Sequence, residues 1–502
     1  MRTVLPPSIN WGLKVAWSLT DKDLKRYPHF DRHLPASEIE KIVTDPDLVA
    51  QNPFYPFLCY EQTWQPFRKL EARPGKKSRL IRYASRRDAQ VYSYYRHLLS
   101  GPYEAALTEL GIESCPTAYR KIPLDDSGRG KCNIDFAHDA FRQIEGIDSC
   151  SAVTLDISSY FECIDHKRLK TLWCKMLGVG KLPPDHFKVY KAITHYSVVD
   201  RNAAYERLGF FGPKVRRNGV VTDGFLVPHR KVPWQLCSPS DFREKICGES
   251  AEFDSLIKTN DREFGIPQGA PISDLLANLY LIDFDVALQK YLMDRGGFYS
   301  RYSDDILIIV PGNEEDGRAA KKFAMDLICE FGDQLRIKDE KTSIVDFDVD
   351  GAGTRKFKWI EGKQGKNGLE YLGFRFDGSR VFLRDSTLSR FHRKIVFAAR
   401  AEAHRFVAAN RGHSLENLLE RFNSRRFESR FGRVEEFEQA REYQSWTFWT
   451  YANRSAETFG DKGHKIYHQL RKHRAFIRQT LEKEFAEAFS RAERIESIAE
   501  KT

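Results

Sequence analysis

The chain has 502 residues, 41% of them hydrophobic and 30% charged, enough for several domains with buried cores. No apolar run approaches the eighteen residues of a membrane span, and the N-terminal stretch MRTVLPPSINWGLK lacks a signal-peptide core. The nine cysteines are scattered without a C-x-x-C pair, which points to reduced thiols in a cytoplasm and away from a zinc module. The net charge is +10, so polyanions are candidate partners, although charge alone does not name one.

In chain order, residues 35–42 carry a short helical signal with Ser37 as its cap, followed by an aromatic loop, NPFYPFL, at 52–58. Residues 64–83 read as two short strands that turn at Pro74-Gly75, and a helix is predicted over 87–99. Residues 134–146 repeat at helical spacing and stop at Gly146. Residues 152–155 read as a buried strand ending at Asp156, with a helix after it. Residues 197–250, rich in Gly, Pro, Lys and Arg, read as a loop or insertion. A helix with one apolar face is expected over 275–288, strands over 305–310, 343–347 and 369–376, and a helix over 317–331. From 381 onward there is no proline, and 24 Lys/Arg stand against 17 Asp/Glu, a net +7. Most of the excess positive charge therefore lies in a C-terminal helical region. Its aromatic residues (Phe391, Phe406, Phe422, Trp446, Phe448, Trp449, Tyr451, Phe476) fit a helical core better than base-stacking platforms.

One stretch does not fit an ordinary core strand. In FYSRYSDDILIIV, residues 298–310, two adjacent aspartates precede an apolar run. By itself such a pair reads as a strand-end turn. Asp156 also ends a strand, in VTLDISSYFECIDH. If the two strands are neighbours in one sheet, three carboxylates meet at one edge, where like charges would take up protons unless a cation neutralises them. Hard divalent ions prefer oxygen ligands, and Mg²⁺ keeps positions for water and phosphate. A pair of Mg²⁺ ions, with Mn²⁺ as an alternative, would support in-line phosphoryl displacement.

Further residues then carry a resemblance. Tyr302-Ser-Asp-Asp305 resembles the Tyr-x-Asp-Asp hairpin of reverse transcriptases, and Asp156-Ile-Ser-Ser-Tyr-Phe161 the motif with their first catalytic aspartate. Phe264-Gly-Ile-Pro-Gln-Gly-Ala-Pro-Ile-Ser273, with Leu276-Ala-Asn-Leu-Tyr280, resembles the loop and helix that pack on the nascent base pair. Arg79-Leu-Ile-Arg-Tyr-Ala-Ser-Arg-Arg-Asp88 resembles the fingers motif. Lys341-Thr342 and Glu370-Tyr-Leu-Gly-Phe374 resemble the fourth palm motif and the primer grip. A lone Tyr-x-Asp-Asp is weak, whereas six motifs in order across residues 64–376 are specific.

The resemblance implies an α+β right-hand polymerase. Its parts would be an N-terminal extension (1–63), fingers (64–150), a palm (151–376, with a fingers-side insertion at about 197–250) and a helical thumb with the C-terminal region (377–502). It implies that Asp156 and Asp304 ligate both metals, with the Ile157 carbonyl as a further ligand and Asp305 more peripheral. Phe161 would be an aromatic steric gate against the ribose 2′-hydroxyl; the alternative is a core phenylalanine. Arg79 and Arg73 would clamp the triphosphate through their planar forks; the alternative is a solvated hairpin charge. Gln268 and Gly269 would let the chain approach the nucleotide, glycine having no Cβ in the way. Lys341 would be a general acid for pyrophosphate, or else a surface lysine. Tyr371, Leu372 and Gly373 would hold the primer end.

Departures from the family pattern narrow the subgroup. Ala84 and Asp274 stand where proline is common, Asn202-Ala-Ala-Tyr205 lacks the histidine of the retron class, and Val-Thr-Gly is absent. The NPFYPFL lead-in, Ala118-Tyr-Arg-Lys121 and the long helical C-terminus are similar to bacterial antiphage (defence-associated, abortive-infection) reverse transcriptases. That likeness implies an RNA-directed DNA polymerase in antiviral defence. Its partners would be a structured non-coding RNA, dNTPs and a DNA product made on a primer or protein hydroxyl; homo-oligomers are known in the subgroup. Two other readings stay open: template-independent terminal transfer at the same site, and a non-catalytic RNA-binding scaffold.

Overall fold

The computed structural model describes residues 17–64, 77–125, 128–215, 219–362, 366–432 and 447–499. Fourteen strands are found among them: β1 (Phe57–Trp64), β2 (Lys77–Tyr83), β3 (Ser149–Asp156), β4 (Ser197–Asp200), β5 (Phe211–Val215), β6 (Val221–Phe225), β7 (Lys258–Thr259), β8 (Phe298–Tyr302), β9 (Asp305–Pro311), β10 (Ser343–Val349), β11 (Arg355–Gly362), β12 (Leu369–Tyr371), β13 (Phe374–Phe376) and β14 (Val381–Leu383). The central sheet has the order β11-β10-β3-β9-β8, antiparallel throughout.

The apolar runs of β3 and β9 follow from burial on both faces. Val153, Leu155, Ile306, Ile308 and Val310 pack on one side with the helices Ser273–Tyr280 and Ile282–Met293. Cys150, Ala152, Leu307 and Ile309 face the other side, against helix Asn133–Glu145, the β12-β13-β14 sheet and helix Phe448–Phe459. Period-2 alternation thus serves two cores at once. A second sheet, β2-β1-β4-β7, is drawn from residues 57–259. The C-terminal helices Asp385–Ala409 and His473–Ala499 share a third core around Phe391, Ile395, Ile477 and Phe485. Phe391 is buried there and Trp449 in the core beneath the central sheet, as expected of core aromatics; Trp446 lies outside the described residues.

Several expectations are corrected. The first helix, Ala36–Thr44, is preceded by Pro35 as its N-cap with no side-chain cap bond, so Ser37 sits inside the first turn. The end of NPFYPFL is strand, because Phe57 and Leu58 are buried at the start of β1. The Pro74-Gly75 turn lies outside the described residues. The helix expected to end at residue 99 runs from Arg86 to Glu109 through Pro102; burial of Leu99, Tyr103, Ala106 and Leu107 along it outweighs the lost backbone bond. The helix expected over 275–288 is two helices with a break at Leu281. Residues 197–250 include the β5-β6 hairpin and a helix, Arg201–Arg207, packed through Ala204 and Tyr205 on Leu58 and Phe30. The strand expected over 369–376 is a hairpin, bent where Leu372 and Gly373 take φ of 45° and 94°. All nine cysteines are free thiols, and among the described residues no helix is long and apolar enough to cross a membrane.

The helix Glu314–Ile328 closes one side of β3 at Gly317, where a Cβ would lie 2.1 Å from Ser151 Oγ and 3.2 Å from an Ile344 methyl. Gly317→Val is therefore expected to destabilise the protein by about 1–3 kcal/mol through overpacking. Chemical denaturation read by circular dichroism measures this, and an unchanged midpoint would contradict the close helix–sheet contact.

Candidate active site

The register of the two middle strands builds the site. β3 and β9 pair from Cys150 opposite Pro311 to Asp156 opposite Asp305, so the last residue of one strand faces the first of the other. The next backbone bond, Ile157 N–H to the Asp304 carbonyl at 3.0 Å, continues the ladder past the strand ends. β8 and β9 form a hairpin in which Tyr302 pairs with Asp305, leaving Ser303 and Asp304 as a two-residue turn. Ser303 has φ of 62°, at a position where hairpins usually place glycine. A serine there costs about 1 kcal/mol or more and needs support from its surroundings.

Asp156, Asp304 and Asp305 therefore stand together at one end of the sheet, as the sequence implied. Their electrostatics record the crowding. Asp305 is pushed up to about 7, first by loss of water around it and then by the charges of Asp304 and Asp156. Asp304 is also raised, by burial and then by Asp156. Solvent still reaches Asp305 and screens part of the repulsion. Lys341, in the turn Asp339–Lys341 before β10, forms an ion pair with Asp156 Oδ1. Arg384 lies close enough to Asp305 to offset some of the shift. Among the described residues, no three His, Cys, Asp or Glu side chains converge as a ready-made metal cage. The carboxylates line a strand end rather than surround a point. This donor set fits Mg²⁺, which binds through one or two carboxylates and leaves its other positions to water and phosphate.

Around this end the chain brings the other candidates close. Ser159 (φ 51°) turns the chain after Asp156 into the short helix Tyr160–Cys163. Phe161 is largely buried there, and its carbonyl accepts from Ile266 N–H at 2.8 Å, which ties it to the loop 264–273. In that loop Gln268 and Gly269 are exposed. Gly269 has φ of 122°, and a Cβ on it would meet the Arg82 carbonyl at 2.1 Å. The missing Cβ thus makes room for β2. Arg79 is exposed on β2 opposite Gln62. Arg73 lies outside the described residues. Tyr371 is buried and its hydroxyl meets Ser300 Oγ at 3.2 Å, so only Leu372 and Gly373 of that trio reach the surface. Asn133 Nδ2 donates to the Leu372 carbonyl at 3.1 Å and to Tyr451 Oη at 3.0 Å, and Arg384 N–H donates to the Gly373 carbonyl.

Sequence reasoning missed the residues that brace the site. Arg82, on β2, pairs with Glu162 at 2.5 Å, and Arg262 reaches the same carboxylate at 3.4 Å. Arg82 lies inside the quoted fingers motif, but only the fold shows that its partner follows Phe161. Asp274 pairs with Arg96 at 2.9 Å, and Arg96 also holds the Tyr119 carbonyl at 2.8 Å. Arg301, in the quoted stretch itself, carries no alternation signal that distinguishes it from a solvated strand residue.

Residues 243–376 match a family model described as Reverse transcriptase (RNA-dependent DNA polymerase). The match includes Gln268, Asp304, Asp305, Lys341 and Tyr371 and begins after Asp156. No curated protein matches the chain. Among solved structures, the chain is similar to apo telomerase from Candida tropicalis, truncated from its C-terminal domain, with 10% identity and a TM-score of 0.35 over 71% of this chain and 62% of that one. The chain thus spans less than two-thirds of that structure's length.

A carboxyl raised on folding binds its proton more tightly in the native state, so its contribution to stability is present at low pH and lost as pH rises through the folded value. Relative to Asp305→Asn, the metal-free protein is expected to lose melting temperature as pH climbs from 3.8 toward about 7, and Mg²⁺ at pH 8 is expected to restore it. Melting curves across that range test this; a constant difference between the two proteins would mean that burial and the neighbouring carboxylates do not raise Asp305.

Proposed function

We propose that the chain is an RNA-directed DNA polymerase that adds deoxynucleotides to a primer hydroxyl. The observation that carries this reading is the register that pairs Asp156 with Asp305 next to Asp304. The match of residues 243–376 to the reverse transcriptase family supports it. Asp156 and Asp304 would hold two Mg²⁺ ions, or Mn²⁺ in their place, with the Ile157 backbone nearby and Asp305 at the edge. When bound, such ions stabilise the attacking and leaving oxygens of an in-line displacement.

The chain's own residues then divide the remaining work. Arg79 on β2 binds triphosphate oxygens through its planar fork. Phe161, fixed by Ile266, sets a wall against the ribose 2′-hydroxyl. Gln268 contacts the nucleotide from an exposed loop that Gly269 lets seat on β2. Lys341, paired with Asp156, holds a proton for the pyrophosphate oxygen. The Leu372-Gly373 turn supports the primer end. In this reading residues 64–150 act as fingers, 151–376 as palm and 377–502 as thumb with its C-terminal extension. The net +7 of residues 381–502 suits contacts with phosphates, which position a duplex without reading its sequence. The finer assignment, antiviral defence with a structured non-coding RNA as template, rests on the subgroup features of the sequence.

The test starts with protein purified from its own host with any RNA left bound. The RNA is sequenced, Mg²⁺ and each labelled dNTP are supplied, and the product is sequenced. A product complementary to the bound RNA is expected. A product indifferent to that RNA and resistant to ribonuclease would replace this reading with terminal transfer, and no product at all would leave the scaffold. Asp304→Ala with Asp305→Ala is expected to abolish synthesis with RNA binding retained; residual synthesis would remove the metal assignment. Phe161→Ala is expected to admit ribonucleotides, measured as the ratio of rNTP to dNTP incorporation.

A further inference from the structure

Beneath the catalytic turn lies an ion pair that the mechanism above does not use. Arg301, on β8 three residues before Asp304, is completely buried, and so is Asp285 on the helix Ile282–Met293. Arg301 Nε and Nη2 donate to the two Asp285 oxygens at 2.7 and 2.5 Å, a fork-to-carboxylate match. Its remaining nitrogen, Nη1, donates to Asn278 Oδ1 and to the Ser303 carbonyl, both at 3.2 Å. Tyr299 Oη donates to Asp285 at 2.6 Å, so the network is well supplied with partners.

The backbone of Arg301 is also engaged. Its N–H donates to the Cys115 carbonyl at 2.8 Å, and its carbonyl accepts from Thr117 N–H at 2.9 Å. Asn278 Nδ2 holds the next residue of that segment, through the Ala118 carbonyl at 2.8 Å. The free edge of the central sheet is thereby covered by residues 115–118, beside the turn that carries Asp304. Taking both ions of such a pair out of water costs several kcal/mol each, and well-packed apolar residues often serve stability equally well. Stability alone therefore does not account for a buried arginine whose third nitrogen points at the strained turn.

We propose that Arg301, aimed by Asp285 and Asn278, is a positioning residue for the catalytic carboxylates: it grips the Ser303 carbonyl and fixes where Asp304 presents its oxygens. The role in catalysis rests on the polymerase reading, whereas the effect on cation binding does not. Lysine at 301 would keep the charge and one contact to Asp285 but lose the planar fork that serves both Asp285 and Ser303.

Two variants of the full chain test this. Tyr299→Phe/Asp285→Leu/Arg301→Met replaces the ion pair and its tyrosine with apolar residues, and Arg301→Lys keeps the charge. Each is read three ways: melting temperature, Mn²⁺ binding to the protein alone by electron paramagnetic resonance, and single-nucleotide kinetics with Mg²⁺. The expected result is a melting temperature near wild type for the triple variant and lower for Arg301→Lys, which leaves buried acceptors without donors, with, in both, weaker Mn²⁺ binding and kcat lower by about 100-fold at little change in KM for dNTP. Folded variants that match wild type in kcat and Mn²⁺ binding overturn the proposal. If the triple variant does not fold, Arg301→Lys decides by the same readouts. A wild type that incorporates no nucleotide, yet binds Mn²⁺ more tightly than its variants, removes the polymerase reading and keeps the positioning role. A wild type that binds no Mn²⁺ overturns the proposal.

Discussion

Everything at the site depends on one antiparallel register, Asp156 opposite Asp305. Because side chains alternate across a sheet, a slip of one residue would turn both buried faces of β3 and β9 inside out and separate the carboxylates. The apolar side chains of these strands are committed to two different cores, so the register is fixed from both sides. The folding energy of the middle of the sheet therefore holds three mutually repelling groups at its end. Loss of water around Asp305, and then the neighbouring charges that Lys341 and Arg384 offset only in part, drive its carboxyl far above its ordinary range.

The periphery is tied to this centre by polar links that reach across the sequence. Glu162, immediately after Phe161, receives Arg82 from β2 and Arg262 from the loop ahead of Gly265. Gly269 fits against the Arg82 carbonyl, so the loop 264–273, β2 and the Phe161 turn are seated on one another. On the other side, Asn133 donates both to the Leu372 carbonyl and to Tyr451 Oη, which connects the helix Phe448–Phe459 to the β12-β13 turn through one side chain. The departure at Asp274 finds its explanation here as well: it pairs with Arg96, which holds the carbonyl of Tyr119, a residue with φ of 63° next to the Ser303-Asp304 turn.

Much of this was legible in the residues. The strand ends at Asp156 and Asp305, the helix stop at Gly146 and the apolar helices after Ser273 follow from periodicity and from charges that have no place in a core. Local reading failed where tertiary contacts overrode local preference. The helix through Pro102 persists because its apolar side is buried, and the strand expected over 369–376 bends because Leu372 is held in a left-handed conformation by its neighbours. Arg301 was invisible as a functional residue, since in a strand pattern an arginine reads as solvated until the helix bearing Asp285 is folded over it.

The sequence by itself determined the inventory: three carboxylates at two strand ends, an aromatic five residues after the first, arginines on a preceding strand, and a basic helical C-terminus. Those properties are local, set by residue type and spacing along a short piece of chain. Only the tertiary structure decided which groups face one another: Lys341 on Asp156, Arg82 on Glu162, Arg301 under Ser303, and Tyr371 buried rather than presented. Apart from Arg301 and Ser303, which are near neighbours aimed by Asp285 and Asn278, these contacts join residues separated by scores or hundreds of positions. They are chosen by the shared burial of apolar faces, a property of the assembled sheet and helices that no short window of sequence contains.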